Sequence, residues 1–267
     1  MIVYKNEITK SYCCGNEVKK IVACGNVVFE KQEPTPPTPT NLKWGFTDMS
    51  GITHSYPCDG NSVLTRDDIT DALDGLFVDP ALDNYYIHSA WVGDCTTTIS
   101  ANTFNNFFDM SGITLHDGIT TIEHSVFKNT DIRSIAIPSA TTTISDNLFS
   151  GCKNLSAITL HDGITMIGSE SFIDCYSLTS ITIPSSVTRI RDTAFYLVYD
   201  ANDPRCINAL ANRVVVMQGT TPPTLGAGNV FAGGIRATYK IYVPSSALEA
   251  YRESSTWSPY VERLEPY

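Results

Sequence analysis

The stretch Leu178-Thr-Ser-Ile-Thr-Ile-Pro-Ser-Ser-Val-Thr-Arg-Ile-Arg-Asp-Thr-Ala-Phe195 decides the fold, because its apolar positions recur through the middle of the chain. An isoleucine stands five residues before a phenylalanine at a period of 22–23 residues, in the pairs Ile99–Phe104, Ile122–Phe127, Ile144–Phe149, Ile167–Phe172 and Ile190–Phe195. A repeat of this length is typical of a solenoid, in which each unit buries its apolar face only against its neighbours. The sequence therefore predicts a stack of coils.

A second apolar pattern, L-x-x-I-x-I, predicts one short strand per coil. Its two isoleucine positions point inward and the residue between them points outward. The outward and adjoining positions hold candidate ligand-binding residues, namely Thr114, His116, Thr159, His161 and Thr182, together with Ala136, Pro138 and Pro184. Two interpretations stay open: a surface of threonine and histidine that contacts a glycan or a protein, or an inert solvated sheet of β-prone residues.

These residues resemble the BspA-type leucine-rich repeat, whose unit is close to L-x-x-I-x-I-P-x-x-V-x-x-I-x-x-x-A-F-x-x-C-x-x. The resemblance covers about residues 90–200, and Cys152 and Cys175 fit its cysteine column. It implies an α/β, β-rich leucine-rich-repeat solenoid with a parallel sheet, and a non-catalytic role in adhesion or host contact at bacterial surfaces. Two repeats depart from it, with His-Asp-Gly at 116–118 and 161–163 where the others have Pro-Ser.

Changes in pattern predict five segments along the chain. They are a small β module (1–33), a Pro/Thr linker (34–41), an N-terminal cap (42–84), the repeats (85–200), and irregular last coils with a C-terminal cap (201–267). The linker reads as an extended polyproline II spacer. In the N-terminal cap, Thr65 and Asp68 resemble a capping box, and Ile69, Leu73 and Leu76 share one face of a short helix.

The first 33 residues carry a different repeat, of ten residues: Tyr4-Lys-Asn-Glu-Ile8, Cys14-Gly-Asn-Glu-Val18 and Cys24-Gly-Asn-Val-Val28. The Lys-Asn and Gly-Asn pairs predict tight turns between short strands, which are barely stable alone. We therefore expect this module to dock the protein onto a larger assembly, through Tyr4, Ile8, Val18, Ile21, Val28 and Phe29. It resembles short modules that begin tail or virion proteins of phages infecting Bacteroides-like bacteria.

Charge and hydropathy restrict the class of protein. The net charge of −10 and the absence of a Lys/Arg cluster argue against nucleic acid as a partner. No apolar run approaches the roughly 18–20 residues that span a bilayer, and the N-terminal residues lack the apolar core of a secretion signal. We expect a phage virion protein of the tail or head surface, with a bacterial cell-surface or secreted adhesin as the alternative; self-association stays open.

The titratable residues predict no shared chemistry. His116 and His161 lie two coils apart, about 10 Å by the strand spacing, which is too far for a common zinc ion. Asp117 and Asp162 are likewise too far apart to be the carboxylate pair of a glycosidase. They stand beside glycines, where Asp commonly makes turns. No nucleophile–base set or phosphate-binding loop occurs. We therefore expect no catalytic residue, cofactor or metal, and no enzyme.

The cysteines and tryptophans leave alternatives open. Cys152 and Cys175 occupy one column and are either bridged or a ladder of small buried thiols, which the sequence favours. The spacing of Cys13, Cys58, Cys95 and Cys206 does not suggest a zinc site. Trp44, Trp91 and Tyr85-Tyr86 are candidates for exposed binding residues, although packing within the cap is the favoured interpretation.

Overall fold

The structure is a computed structural model that describes residues 42–48, 50–73, 87–198, 202–227, 229–231 and 239–267. At 22–23 and 26–27, and at 207, 208, 210 and 211, it describes the main chain only. The chain divides into two compact units, Met1–Pro39 and Thr40–Tyr267.

The described part of the first unit is one short antiparallel pair, β1 (Val22–Ala23) and β2 (Asn26–Val27). Asn26 pairs with Ala23 and so belongs to a strand rather than to the predicted turn. The six residues predicted for docking, Tyr4, Ile8, Val18, Ile21, Val28 and Phe29, lie outside the described residues. Their role stays a prediction.

The second unit begins with a hairpin that the sequence pattern did not predict. Strands β3 (Leu42–Asp48) and β4 (Thr53–Pro57) pair antiparallel. Their inward side chains form an aromatic stack in which Trp44 lies 4.7 Å from Tyr56 and Phe46 lies 4.7 Å from His54 between ring centroids. Trp44 is 1% exposed, which confirms cap packing for this tryptophan. The hairpin continues the sheet of the repeats, because β3 also pairs with the first repeat strand, β6, described below.

The predicted helix is present behind this hairpin. A short strand, β5 (Val63–Leu64), leads into α1 (Arg66–Leu73). The capping box forms, because Asp68 accepts a hydrogen bond from Thr65 N at 2.8 Å and Thr65 Oγ1 accepts one from Asp68 N at 3.2 Å. Ile69 and Leu73 are buried as their spacing predicts, whereas Leu76 lies outside the described residues.

Arg66, the first residue of α1, closes the open end of the solenoid. Its Nη1 donates to the carbonyl oxygens of Thr103 at 3.3 Å and Asn105 at 2.7 Å. In the next coil the equivalent oxygens accept main-chain N–H groups from the coil before, as Val126 O does from Phe104 N at 3.0 Å. Arg66 thus supplies donors that a preceding coil would supply, and so satisfies polar groups that would otherwise lack partners.

Each coil of the repeat contributes two short strands, one to each of two parallel faces. The first face contains β6 (Ile87–Val92), β8 (Gly112–Thr114), β10 (Ser134–Ala136), β12 (Ala157–Thr159) and β14 (Ser180–Ile183). The second contains β7 (Thr98–Ile99), β9 (Thr121–Ile122), β11 (Thr143–Ile144), β13 (Met166–Ile167) and β15 (Arg189–Ile190). Equivalent residues of successive coils pair in register, as Ile135 with Ile158 and Ile144 with Ile167.

Phenylalanines form the core between the faces, as their spacing predicts. Rings at 104, 127, 149, 172 and 195 are at most 1% exposed and stack at centroid distances of 5.9, 5.6, 5.5 and 5.1 Å. The stack continues to Phe231 at 5.5 Å, although Phe231 stands 36 positions after Phe195. The extra residues include helix α2 (Pro204–Asn212).

The parallel stack continues beyond the regular repeat. Strands β16 (Val214–Met217), β18 (Lys240–Val243) and β19 (Leu264–Pro266) follow β14, and β17 (Thr224–Leu225) follows β15. Helix α3 (Leu248–Glu253) and two 3₁₀ turns, Ser245–Ala247 and Ser258–Arg263, cover the end. Trp257 Nε1 donates to Pro223 O at 2.8 Å and Tyr251 donates to Gly219 O at 3.0 Å, which fixes this cap on the last coils.

One disulfide bond joins Cys58, in the loop after β4, to Cys95, in the turn after β6, with the two Cα atoms 6.3 Å apart. Cys152, Cys175 and Cys206 are free and buried, so the unbridged interpretation of the cysteine column is confirmed. Within the described residues, no helix is both long and apolar enough to cross a membrane.

Candidate recognition surface

The outward side of strands β8, β10, β12 and β14 is an uncharged surface of small side chains, which we call the sheet face. Seven of its residues are exposed: Thr114, Ser134, Ala136, Ala157, Thr159, Ser180 and Thr182. The inward residues between them are buried or partly buried, as with Ile135 at 6% and Ile181 at 3% exposure. The predicted alternation along these strands is thereby confirmed. Thr114, Thr159 and Thr182 lie in one column together with Ala136, with neighbouring strands about 4.8 Å apart.

The hydroxyl groups of this column have no hydrogen-bond partner among the described residues, at Thr114, Thr159 and Thr182. A second column of exposed threonines lies on the other parallel face and behaves differently. There Thr120, Thr165 and Thr188 each donate to the carbonyl oxygen of a threonine in the preceding coil, at 3.2 Å. These three hydroxyl groups of the second column are used within the solenoid, whereas those of Thr114, Thr159 and Thr182 are left to a ligand or to water.

The two candidate histidines are occupied by hydrogen bonds within the solenoid. His161 Nδ1 accepts from Gly163 N at 3.0 Å, while Nε2 contacts Pro138 O at 2.9 Å and Thr141 O at 3.0 Å in the preceding coil. His116 repeats the arrangement, with Nδ1 accepting from Gly118 N at 3.1 Å and Nε2 lying 2.8 Å from Thr96 O.

The glycine of each His-Asp-Gly loop makes room for the imidazole ring. A Cβ atom at Gly163 would lie 2.7 Å from His161 Cε1, and one at Gly118 would lie 2.9 Å from His116 Cε1. These loops alternate along the stack with the Ile-Pro-Ser loops, whose carbonyl oxygens the next histidine contacts. The geometry thus gives His116 and His161 an internal bridging role, and their role in ligand binding stays a prediction.

Asp117, beside His116, also makes a contact within the solenoid. Asp117 Oδ1 accepts a hydrogen bond from Ser139 N at 3.2 Å, so it bridges two coils. Within the described ranges, no group of three or more His, Cys, Asp or Glu residues is arranged to hold a metal ion.

Two of the free thiols, Cys152 and Cys175, are placed where they are unreactive. Burial raises the pKa of Cys152 to about 11, and its Sγ donates to Phe127 O at 2.9 Å. Burial also raises the pKa of Cys175 well above its ordinary value. A thiol in this state is protonated at neutral pH and is a poor nucleophile.

Two features of the surface were missed or left open by the sequence patterns. The Cys58–Cys95 disulfide has no signal in the spacing of its cysteines, which stand 37 residues apart. Trp91 is partly exposed and lies over Gly45 on the outward side of the hairpin sheet, where a Cβ atom would lie 2.4 Å from the indole. Tyr85 and Tyr86 lie outside the described residues.

Comparison with known proteins agrees with this geometry. Residues 80–200 match the BspA type leucine rich repeat region, in six copies. The resemblance carried by Leu178–Phe195 is thereby confirmed for this segment, and the fold is a leucine-rich-repeat solenoid built on BspA-type repeats. No curated protein has significant sequence similarity to the chain.

Two solved structures align with the chain. One is a leucine-rich repeat protein from Bacteroides ovatus, 15% identical, with 76% of this chain and 70% of that chain covered and a TM-score of 0.33. The other is a leucine rich cell surface protein from Faecalibacterium prausnitzii, 16% identical, with 76% and 82% covered and a TM-score of 0.32.

Proposed function

We propose that this protein is a non-catalytic binding protein that recognises a protein or a glycan through the sheet face of its BspA-type repeats. The observation that carries the proposal is the contrast between the threonines of the sheet face and Thr165 of the other face. Thr165 uses its hydroxyl group inside the solenoid, whereas Thr159 and Thr182 leave theirs without a partner among the described residues. A flat, uncharged and hydroxyl-bearing surface suits a partner that binds by shape and neutral hydrogen bonds.

The disulfide supports a location outside the cytosol. The partly exposed cysteines of the described residues, Cys58 and Cys95, are bridged, whereas the three free ones are buried. Disulfides of this kind form and persist in oxidising environments and are rare in the cytosol. Together with the repeat type, this favours display at a bacterial cell surface or release into the medium.

A second candidate function is that of a phage virion protein of the tail or head surface. The ten-residue repeat of residues 1–33 and the Pro/Thr linker after it favour this candidate, because they suit a docking module that orients separately from the solenoid. Mass spectrometry of purified phage particles and of the cell envelope from the source culture distinguishes the two. Recovery in the envelope alone contradicts the virion candidate. A variant lacking residues 1–33 that still enters either assembly contradicts the docking role.

Matched arginine substitutions test the sheet face. Binding is measured by biolayer interferometry on immobilised mucin glycoprotein and on a printed glycan array, with the full chain. Thr159→Arg and Thr182→Arg place a bulky charge on the sheet face and are expected to weaken binding at least about tenfold. Thr165→Arg, an exposed threonine of the opposite face, is the control and is expected to bind as the parent does. Equal loss in all three variants contradicts the proposal.

A further inference from the structure

Hydroxyl-bearing side chains surround Trp91 on the outward side of the hairpin sheet. Because β3 pairs with both β4 and β6, four such residues lie on the same side of the sheet as Trp91: Thr47, Thr53, Ser55 and Ser89. We call these four residues and Trp91 the Trp91 patch. Thr53 is exposed and the other four are partly exposed. The opposite side of the same strands carries the buried aromatic stack, so the patch is the solvent-facing side of these strands.

The indole of Trp91 packs against Gly45. Gly45 pairs directly with Trp91 and with Ser55, and the indole atoms Cζ2 and Cε2 lie 2.4 and 2.6 Å from where a Cβ of residue 45 would be. The ring therefore packs on a glycine, and Trp91 stays partly exposed to the solvent. Beside the ring, Thr47 Oγ1 and Thr53 Oγ1 lie 3.2 Å apart, within hydrogen-bond distance.

The charge of the patch restricts its occupant. The outward positions 45, 47, 53, 55, 89 and 91 hold no charged residue, although the chain carries a net charge of −10. An ionic partner would find no counter-charge on these positions, and an extended apolar partner would leave the hydroxyl groups without hydrogen bonds. A neutral sugar needs no counter-charge and leaves no hydroxyl group unpaired, because the C–H face of a pyranose packs on an indole while its hydroxyl groups exchange hydrogen bonds with Ser and Thr.

We propose that the Trp91 patch binds a neutral saccharide by stacking on Trp91. This site lies on β3, β4 and β6 and adjoins the sheet face, because Trp91 pairs in register with Thr114; separate variants test the two surfaces. The hydroxyl groups of the patch set the orientation of the sugar, and the uncharged floor excludes uronate-containing and sulfated chains in favour of neutral ones.

The tryptophans of the chain provide the readout. Of the three, Trp44 and Trp257 are at most 1% exposed, so iodide in solution quenches chiefly Trp91. Quenching is measured on the full chain with xyloglucan, galactomannan and dextran as neutral probes, and with polygalacturonate and heparin as anionic ones. At least one neutral probe is expected to protect the fluorescence from iodide and to retard the protein in native affinity gels. Anionic probes are expected to do neither.

Two kinds of variant separate stacking from folding. Trp91→Ala is expected to abolish retardation, but it also removes the packing of the indole on Gly45. Thr53→Arg is therefore measured as well, because a change at this exposed position leaves the indole and its packing in place. Thr53→Arg is expected to weaken binding at least about tenfold, and Thr159→Arg on the sheet face is expected to leave it unchanged. The proposal is overturned if no neutral probe protects Trp91, if only the anionic probes do, or if Thr53→Arg binds as the parent does.

Discussion

At the residue scale, the His-Asp-Gly loops show how a residue that suggests ligand chemistry serves the coil stack instead. Each imidazole accepts from a glycine N–H two residues ahead and reaches carbonyl oxygens of the preceding coil. Spacing along the sequence predicted that His116 and His161 share no metal ion. It could not predict these bridges, because they depend on the main-chain direction of a neighbouring coil.

Gly163→Ala tests this fit. The added Cβ would lie 2.7 Å from His161 Cε1, so the ring must move and its bonds to the preceding coil weaken. We expect the free energy of unfolding to fall by about 1–3 kcal/mol, measured by urea denaturation. Gly112→Ala is the control, because its Cβ meets nothing closer than 4.0 Å. Equal stability of the two variants would contradict the bridging role of His161.

Asp48 gives the hairpin a pH dependence of defined sign. Burial alone would raise the pKa of this carboxyl, but hydrogen bonds from Ile52 N, His54 and Ser50 N together lower it. A carboxylate with a lowered pKa in the folded state contributes stability above its unfolded pKa and loses it as the pH falls through the folded value.

Asp48→Asn removes this contribution. We expect the variant to be less stable than the parent by about 1–2 kcal/mol at neutral pH, with the difference shrinking toward about pH 3. Urea denaturation across this range measures it. A difference that does not change with pH would show that the charge of Asp48 contributes nothing.

At the element scale, the repeat period predicted which residues stack on one another, but it did not predict the structure at the two ends of the stack. The phenylalanine ladder, the inward isoleucines and the capping box of α1 follow from spacing alone, because each depends on residues a fixed number of positions apart. The β3–β4 hairpin does not recur, so no period indicates it. Phe231 continues the ladder only because α2 lies in the extra residues, an arrangement visible only in three dimensions.

The N-terminal end of the solenoid depends on Arg66, the first residue of α1. Arg66→Met removes the donors to Thr103 O and Asn105 O and the guanidinium 4.6 Å above the Phe107 ring. We expect a loss of about 2–3 kcal/mol in the free energy of unfolding. The control is Arg252→Met, whose exposed pair with Glu249 one helical turn away is expected to contribute less than about 0.5 kcal/mol. Equal losses would contradict the capping role.

At the scale of the whole molecule, the Cys58–Cys95 bridge ties the hairpin to the first coil across 37 residues. A bridge of this span restricts the unfolded chain by roughly 4 kcal/mol in the loop-entropy model. The double variant Cys58→Ser/Cys95→Ser is therefore expected to unfold at a lower urea concentration than the oxidised parent. Peptide mapping of the unreduced protein checks the pairing, and recovery of both thiols free from an oxidising preparation would contradict it.

The central claim also concerns the whole molecule: one face of the solenoid recognises a partner and the opposite face does not. The measurement that tests it most directly is the binding of Thr159→Arg against that of Thr165→Arg on the same immobilised mucin and glycan array. The two positions are exposed threonines six residues apart that differ in whether the hydroxyl group is used internally. Binding lost by Thr159→Arg and retained by Thr165→Arg is the predicted result; retention by the first and loss by the second would contradict the account.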